Sequence, residues 1–316
     1  MKKVPSYNHS FQASCPACSK NNWREKKLQS MSSYFICNKC SLNMQEISES
    51  ISKDDFFKLQ QEHHFGDNQF LTHPSELLKK IDDEGNAYKL KIIKKYCSNF
   101  TEKEIIEIGS GPGSFAKEME ELDFKMTIIE ESHELCMHLK QILIGEVINK
   151  NINKFNSKKK YDAACSFQVI EHVADLNEFL VKINSILKTD GLIFLSTPNA
   201  DSFQHNLPYG LSPNFDSAHM FILSRNSIKL LLRKSGYEVL ELTTPEYSST
   251  WLRVASKILR RVLGKSETET AGEYITSSNS LHNNIYTIFK YFSFPLRYIQ
   301  AKLGRGNEIF IVAKKV

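Results

Sequence analysis

The stretch from residue 104 to residue 131, EIIEIGSGPGSFAKEMEELDFKMTIIEE, constrains the fold of this chain more than any other. An apolar run interrupted by Glu107 leads into Gly109-Ser110-Gly111-Pro112-Gly113, and a helical segment and a second apolar run follow, ending in Glu130-Glu131. This order predicts a strand, a glycine turn, a helix and a second strand closed by an acid, a unit that binds an adenosine-bearing cofactor. The glycines let the backbone approach the ligand closely, because they carry no Cβ. The closing acid can accept hydrogen bonds from both ribose hydroxyls.

The glycine pattern separates two cofactor classes. A dinucleotide site carries G-x-G-x-x-G, and here Ser114 stands where the third glycine would be. Glu107 would also repel a pyrophosphate, so it suits a cationic ligand. The stretch resembles motif I of the class I S-adenosylmethionine (SAM)-dependent methyltransferases. That resemblance implies SAM as the cofactor and the following contacts: Glu107, the loop residues Gly109, Gly111 and Gly113, and Glu130 on the ribose, with the neighbouring Glu131 as the alternative.

Length and composition are those of an ordinary globular chain. Its 316 residues can bury a full α/β core and still carry small appendages. The net charge of +5 is a weak basic bias, so nucleic acid is not expected as a partner. The first residues lack the apolar segment of a signal peptide, and no apolar stretch reaches the roughly 18 residues of a membrane span. We therefore expect a cytoplasmic protein.

Residues 1–48 contain two C-x-x-C pairs, Cys15 with Cys18 and Cys37 with Cys40. Their spacing is that of a four-cysteine zinc site, in which each pair aims two thiolates at one point. Four protein thiolates leave no open coordination position, so we expect a structural zinc in a small β-ribbon; a redox pair is the alternative. The other three cysteines are scattered, which excludes a secreted disulfide framework.

Residues 49–100 are predicted to be a helical lid or linker. The patterns indicate helices at Asp54–Gln61, Pro74–Lys80 and Ala87–Cys97, with His63-His64 in a loop. In the family that this chain resembles, helices just before the first strand often cover the cofactor.

The predicted core covers residues 101–244. Its fourth strand, Tyr161–Phe167, leads into QVIEHV, which resembles the ubiquinone O-methyltransferases and the methyltransferases of antibiotics and surface sugars. The resemblance places Phe167 and Gln168 beside the methyl group and Asn151 near the adenine. Some relatives have E-x-x-E-H here and bind a divalent metal; Gln168 removes one such ligand. His172 is either a general base or a residue that shapes the loop.

The fifth strand is predicted at Leu192–Ser196, after a turn at Thr189-Asp190-Gly191. A long polar and aromatic loop, residues 199–223, follows at the edge where α/β sheets bind ligands, so we expect it to bind the substrate. Its content suits a hydroxylated acceptor such as a sugar. His219 is the second candidate base, or it packs the start of the next helix.

Residues 245–305 are predicted to be a helical insertion before the last core strand, in residues 306–316. A basic amphipathic segment at 251–265 is expected to pack on its own domain or a partner, and the alternative is an anionic membrane surface. Residues 281–303 are rich in aromatic side chains, and Pro295 should kink or split this segment. It could line an apolar pocket or form a homodimer face.

Together these predictions define a fold and three hypotheses. The fold is α/β, a seven-stranded mostly parallel Rossmann-like sheet with helices on both faces, with the zinc ribbon and the helical insertion added. The first hypothesis is a SAM-dependent methyltransferase for a small-molecule or lipid-linked acceptor, such as a sugar of a surface glycan or secondary metabolite. The second is an rRNA methyltransferase with a zinc ribbon that contacts RNA, and the third is a non-catalytic protein that binds a partner.

Overall fold

The computed structural model describes residues 14–27, 33–45, 76–97, 103–207, 211–212, 214–215, 219–262 and 280–316. The predicted helix Asp54–Gln61, the pair His63-His64 and the loop residues 208–210, 213 and 216–218 lie outside these residues. The strands are β1 (Trp23–Lys26), β2 (Tyr34–Cys37), β3 (Asn43–Gln45), β4 (Glu104–Ile108), β5 (Lys125–Glu130), β6 (Glu146–Asn149), β7 (Tyr161–Phe167), β8 (Leu187–Pro198), β9 (Phe221–Ile222), β10 (Tyr237–Thr243) and β11 (Glu308–Lys315). The helices are α1 (Glu76–Tyr96), α2 (Ser114–Glu120), α3 (His133–Ile142), α4 (Leu176–Ile186), α5 (Arg225–Lys234), α6 (Ser248–Val262), α7 (Ser280–Phe292) and α8 (Phe294–Lys302).

The predicted seven-stranded sheet is confirmed. Its strands lie in the order β10-β11-β8-β7-β4-β5-β6. The C-terminal strand β11 runs antiparallel to both neighbours, whereas β8, β7, β4, β5 and β6 are mutually parallel. The chain crosses from one side of β4 to the other after β6, so a crevice opens at the carboxyl ends of β4 and β7. The glycine turn follows β4 directly and therefore lies at this crevice.

Two predicted element boundaries are wrong. The helices expected at Pro74–Lys80 and Ala87–Cys97 are one helix, α1, which continues through Gly85. The fifth strand begins at Leu187, and the predicted turn at Thr189-Asp190-Gly191 is an irregularity within it: Asp190 has φ 59°, and the pairing with β7 shifts register there. Both differences involve a glycine, Gly85 in α1 and Gly191 in β8. A glycine inside a helix or strand costs only about 1 kcal/mol, and packing and strand pairing offset that cost.

Apolar side chains of the helices cover both faces of the sheet. On one face α4 and α5 pack with Ile106, Ile193 and Ile311, and on the other α1 and α2 pack with Ile105 and Phe194. The strands of the centre are apolar on both faces, as expected for parallel strands between two helical layers. No helix among the described residues has the length and apolar character needed to cross a bilayer.

The cysteine-rich ribbon is joined to the core by a shared sheet. Strands β1, β2 and β3 form an antiparallel sheet, and the core strand β9 completes it by pairing with β3. The hydroxyl of Ser224, the N-cap of α5, donates to the carbonyl oxygen of Cys40 at 2.5 Å. The ribbon therefore lies against the segment that carries His219.

The insertion consists of α6, α7 and α8 in the part of it that the structure describes. Its aromatic segment splits at Ser293, two residues before Pro295, which then occupies the first turn of α8, where the missing N–H costs no hydrogen bond. Trp251 of α6 donates its ring N–H to Gln300 of α8 at 2.9 Å. Arg297 of α8 forms a largely buried ion pair with Glu84 of α1 at 3.0 Å. The insertion is thus tied to the helix that precedes the core.

Candidate functional site

The backbone of the glycine loop is accessible because its glycines have no side chains. Gly109 has φ 70°, and a Cβ there would lie 2.6 Å from a methyl group of Val169. Gly113 has φ 82°, and its Cβ would lie 2.4 Å from Leu139 Cδ2. Both positions therefore require glycine. The contact with Val169 also shows that the QVIEHV segment lies directly on the glycine loop.

Glu107 stands at the base of this loop with an unsatisfied carboxyl group. The residue is 2% exposed, and its Oε2 has no hydrogen-bond partner among the described residues. Burial raises the pKa of its carboxyl group to about 8. The hydroxyl of Ser110, also buried, is likewise unpartnered within the described part of the chain. Buried polar atoms of this kind suit a ligand that supplies cationic and hydrogen-bonding groups, as the amino-acid part of SAM would.

Glu130 ends β5 beside the loop. Its Oε1 accepts a hydrogen bond from the backbone N–H of Ser132 at 2.9 Å, and burial raises the pKa of the carboxyl group. The neighbouring Glu131 is exposed and accepts a hydrogen bond from Nδ2 of Asn151 at 3.0 Å. The structure therefore brings both predicted ribose acids and the predicted adenine contact to the carboxyl ends of β5 and β6.

Three aromatic side chains form a surface at the tip of β7. Lys89 lies over this surface, and the sequence analysis did not predict it as a site residue. Phe167 packs edge-on against Phe115 and stacks on Phe310. Nζ of Lys89, on α1, lies 4.8 Å from the centre of the Phe167 ring and 5.5 Å from that of Phe115. A cation above two rings is favourable. This position had little signal in the sequence, because Lys89 is one of four lysines in the last turns of α1, with Lys91, Lys94 and Lys95.

Gln168 has a strained backbone and turns toward β11. Its φ of 56° is unusual for a residue other than glycine. Its Nε2 donates to Oε2 of Glu308 at 2.8 Å. The side-chain amide of Gln168 is therefore hydrogen-bonded to a residue of β11, although Gln168 directly follows Phe167 in the chain.

The fold makes neighbours of the two histidines that the sequence offered as separate bases. His172 lies in the 3₁₀ turn that follows β7, His219 lies just before β9, and their ring centres are 5.0 Å apart. Side-chain ligand atoms of Glu171, His172 and His219 all lie within 4.8 Å of one another. Two imidazoles and a carboxyl group thus form one cluster, supported by the segment that lies on the glycine loop.

The tautomer of His219 follows from its partner. Its Nδ1 lies 2.9 Å from the backbone carbonyl oxygen of Asn214, which can only accept a hydrogen bond. Nδ1 therefore carries the proton, and the lone pair of a neutral His219 is on Nε2. The hydroxyl of Tyr34, from the ribbon, donates to the carbonyl oxygen of His219 at 2.7 Å and fixes its backbone.

Glu171 is the third member of the cluster. It is fully buried, its Oε2 accepts a hydrogen bond from the Thr197 hydroxyl at 3.1 Å, and its Oε1 has no hydrogen-bond partner among the described residues. Burial raises the pKa of this carboxyl group to about 8. Ionised, it would stabilise a neighbouring imidazolium. With His172 and His219 it also has the donor set of a divalent metal ion.

Comparison with known proteins identifies the family. A family profile described as "Methyltransferase domain" matches residues 83–242, just over half of the chain. The chain belongs to this methyltransferase family. The resemblance to class I SAM-dependent methyltransferases predicted from motif I is thereby confirmed.

Individual relatives of this methyltransferase are distant. A ubiquinone biosynthesis O-methyltransferase of Rickettsia bellii is 24% identical over 128 residues, which are 39% of this chain and 53% of the relative. One from Histophilus somni is 20% identical over 192 residues, 57% of this chain and 74% of the relative. The chain thus spans about half the length of the Rickettsia relative. The solved structure of coclaurine N-methyltransferase bound to N-methylheliamine and SAH has a TM-score of 0.50 at 15% identity, covering 84% of this chain and 95% of that one, which shows the shared fold.

The loop after β8 uses most of its described polar side chains within the methyltransferase itself. Asn199 donates to the carbonyl oxygen of Gly306 at 2.7 Å, and Asp201 forms an ion pair with Arg225. His205 lies 3.2 Å from the side-chain oxygen of Asn43, and burial lowers the pKa of its imidazole to about 3. These contacts hold the loop against the ribbon and α8, so its polar composition alone does not indicate a sugar.

The four ribbon cysteines form a compact cluster. Their Sγ atoms all lie within 4.8 Å of one another, and Cys15–Cys40 and Cys18–Cys37 are each 3.5 Å apart. The two C-x-x-C turns are alike, because Ser19 and Ser41 both have positive φ and bond back to Cys15 and Cys37. Zinc–sulfur bonds of about 2.3 Å place tetrahedral thiolates about 3.8 Å apart, so this cluster fits a zinc ion.

Three basic residues of the ribbon have contacts within the chain. Nζ of Lys26 lies 4.2 Å from the centre of the Phe215 ring, and burial lowers the pKa of its ammonium group. Arg24 donates to the side chain of Asn38, and Lys27 lies 3.9 Å from Glu25. Three of the ribbon's cations, Arg24, Lys26 and Lys27, are thus engaged within the chain.

Proposed function

We propose that this methyltransferase transfers the methyl group of SAM to a hydroxyl oxygen of a small-molecule acceptor. The observation that carries the proposal is the His219 lone pair on Nε2, held beside Glu171 and His172 at the crevice of the sheet. A hydroxyl group must lose its proton during methyl transfer, and a base placed here can take it. The relatives at low identity are named as O-methyltransferases, which agrees with this acceptor atom.

The residues around the glycine loop would hold the cofactor. SAM supplies an electrophilic methyl group on a sulfonium centre. Glu107 would bind its amino group and Glu130 its ribose hydroxyls, while Asn151 would lie near the adenine. Lys89 is placed to bind the carboxylate, because its ammonium group lies over Phe167 at the same end of the sheet. Glu107 and Lys89 complement the charges of the amino and carboxylate groups of SAM, whereas Glu130 and Asn151 offer hydrogen bonds to its neutral parts.

In the proposed mechanism His219 takes the proton of the acceptor hydroxyl on Nε2. The carbonyl oxygen of Asn214 keeps the other ring nitrogen protonated. Burial raises the pKa of Glu171 to about 8, and in its ionised form this carboxyl group would stabilise the positive charge that the imidazole gains. His172 would orient the acceptor beside it. Most of the rate enhancement would come from positioning, and the base would add about 10²–10⁴-fold.

The test is the turnover of His219→Gln and His172→Gln with catechol and other hydroxylated acceptors, alongside SAM binding by calorimetry. We expect SAM affinity within about threefold of wild type in both variants and a loss of about 10²–10⁴-fold in kcat for His219→Gln. Undiminished turnover in both variants would rule out a histidine base.

The same variants decide whether the cluster binds a metal. The four cysteines account for one ion per chain, so a second ion that is present in wild type and absent from His219→Gln would place a divalent metal on Glu171, His172 and His219. The metal content of both proteins after dialysis gives the answer without any activity measurement.

A narrower proposal concerns the acceptor. We favour a lipid-linked hydroxylated molecule over a free sugar as the acceptor that binds in this crevice. Two observations support this preference: the polar side chains of the loop after β8 are engaged internally, and the names of the relatives refer to ubiquinone biosynthesis.

The ribbon is proposed to hold a structural zinc ion on Cys15, Cys18, Cys37 and Cys40, since four thiolates leave no position for a substrate. The rRNA hypothesis is less favoured, because Lys26 and Arg24 are engaged within the chain. The hypothesis of a non-catalytic partner-binding protein predicts cofactor binding without turnover on any acceptor, and the assays above test it.

A further inference from the structure

The two last helices expose an apolar face that the site does not use. Eight of the seventeen exposed large apolar side chains among the described residues fall between positions 288 and 303. We call them the α7–α8 face: Ile288, Tyr291, Phe292, Phe294, Leu296, Tyr298, Ile299 and Leu303. Tyr291 is 73% exposed, Phe292 83% and Leu296 73%. Concentrations of this kind mark interaction surfaces, whereas scattered apolar side chains do not.

The opposite face of α8 is firmly packed, so the exposure is not a result of loose docking. Arg297 and Gln300 are 5% exposed. Arg297 bonds Glu84 of α1, and Gln300 donates to Gln204 in the loop after β8 and to Glu246. The helix is therefore oriented with its polar side chains inward and its aromatic side chains outward, the reverse of a surface helix that covers a core.

Charge indicates what covers this face. The segment from residue 280 to residue 307 contains no Asp or Glu, and α6 contains none either. The α7–α8 face is flanked by Lys290 and by the exposed Lys302, whose ammonium group lies 5.4 Å from the Tyr298 ring. In the described helices α6, α7 and α8, aromatic and aliphatic side chains are thus accompanied by cations and by no anion, a composition that complements an anionic lipid surface. A second copy of the chain would bring like charges together.

We propose that the α7–α8 face docks on an anionic lipid bilayer and so presents the crevice to an acceptor held in that bilayer. The part that concerns the acceptor rests on the proposed function; the docking does not. The geometry connects the two, because α8 ends at the loop where Asn199, directly after β8, bonds the carbonyl oxygen of Gly306. The α7–α8 face therefore borders the same edge of the sheet as the cofactor crevice.

The docking is tested by vesicle co-sedimentation of the full, zinc-loaded chain. The vesicles are phosphatidylcholine alone or mixed with phosphatidylglycerol. The test variant is Tyr291→Ser/Phe292→Ser/Leu296→Ser, and the matched control replaces three exposed apolar residues elsewhere, Met137→Ser/Ile144→Ser/Val181→Ser. We expect the wild type to prefer the anionic vesicles, the test variant to lose about tenfold or more in partition coefficient, and the control variant to bind like wild type.

The charge contribution is measured separately. Lys290→Gln and Lys302→Gln should each weaken binding to anionic vesicles about fivefold and leave binding to phosphatidylcholine unchanged. Equal partition of the test variant and the wild type would overturn the proposal. So would a lipid-free dimer, seen by light scattering, that the test variant converts to monomer, because the face would then bind a second copy. Calorimetry on the same variants measures their SAM affinity. A loss of vesicle binding with unchanged SAM affinity can then be told apart from a failure of the proposed function.

Discussion

Gly111 and Gly113 have the same backbone constraint and different surroundings, so their alanine variants separate cofactor binding from stability. Both residues lie in the left-handed region, with φ 54° and 82°. A Cβ costs about 1–2 kcal/mol there. At Gly111 the added methyl group meets nothing within 4 Å, whereas at Gly113 it meets Leu139 Cδ2 at 2.4 Å. Leu139 is fully buried in α3, so it cannot move aside freely.

The expected magnitudes follow from these contacts. Gly111→Ala should lower the free energy of unfolding by the backbone cost alone, about 1–2 kcal/mol. Gly113→Ala adds overpacking of about 1–3 kcal/mol, for a total of about 2–5 kcal/mol. The cofactor affinity should show the opposite order, because the open space at Gly111 is where SAM would lie. We expect Gly111→Ala to lose about tenfold or more in SAM affinity and Gly113→Ala to lose less.

Urea unfolding followed by circular dichroism gives the stabilities, and calorimetry gives the SAM dissociation constants of the folded variants. SAM binding by Gly111→Ala as tight as that of wild type would contradict the prediction, since the open space would then belong to no cofactor. A Gly113→Ala variant no less stable than Gly111→Ala would contradict it as well, since the contact with Leu139 would then carry no cost.

Three further predictions concern the charges and the zinc. Lys89→Gln should weaken SAM about tenfold and leave 5′-methylthioadenosine, which lacks the carboxylate, unchanged in calorimetry. Burial raises the pKa of Glu107 to about 8, and only its ionised form attracts the amino group of SAM, so SAM affinity should rise as the pH rises to about 8 and fall above it, where that amino group loses its proton. Glu107→Gln should abolish the rise in titrations across pH. Removal of the ribbon zinc by a strong chelator should lower kcat at least about tenfold and expose the β9 edge to hydrogen exchange, whereas retained activity with all zinc gone would contradict a supporting role for the ribbon.

The strand–turn–helix unit around Gly109 could be predicted from sequence because each of its signals is local. Three spaced glycines, an acid in the first strand and an acid after the second specify both the turn and its ligand class. Pro295 near a helix break is local in the same way, and the structure has that break at Ser293, where it was expected. The continuous helix α1 was not predicted, because Gly85 suggests a break that tertiary contacts of Glu84 and Asn86 override.

The cluster of Glu171, His172 and His219 depends on contacts between distant parts of the chain, so no local pattern could predict it. His172 and His219 are each visible as candidates, but their proximity requires β9 to lie beside the turn after β7. Lys89 is a similar case: an unremarkable surface cation in the sequence becomes a residue over Phe167 only when α1 packs on the sheet. A strand of two residues, such as β9, is too short to show the alternation of apolar and polar residues from which strands are predicted.

The ribbon is linked by hydrogen bonds to β9 and to the residues on both sides of it, which include His219, a proposed base. Gln45 donates its backbone N–H to the carbonyl oxygen of Met220, and Tyr34 donates to that of His219. Cys40 accepts the hydroxyl of Ser224, the N-cap of α5, and so ties the cysteine cluster to the far end of the same segment. A zinc ion that fixes the four thiolates would thereby fix both ends of the segment that holds the His219 ring. A ribbon of this size has too small a core to hold that geometry alone, so a metal ion on its cysteines would support the position of the proposed base.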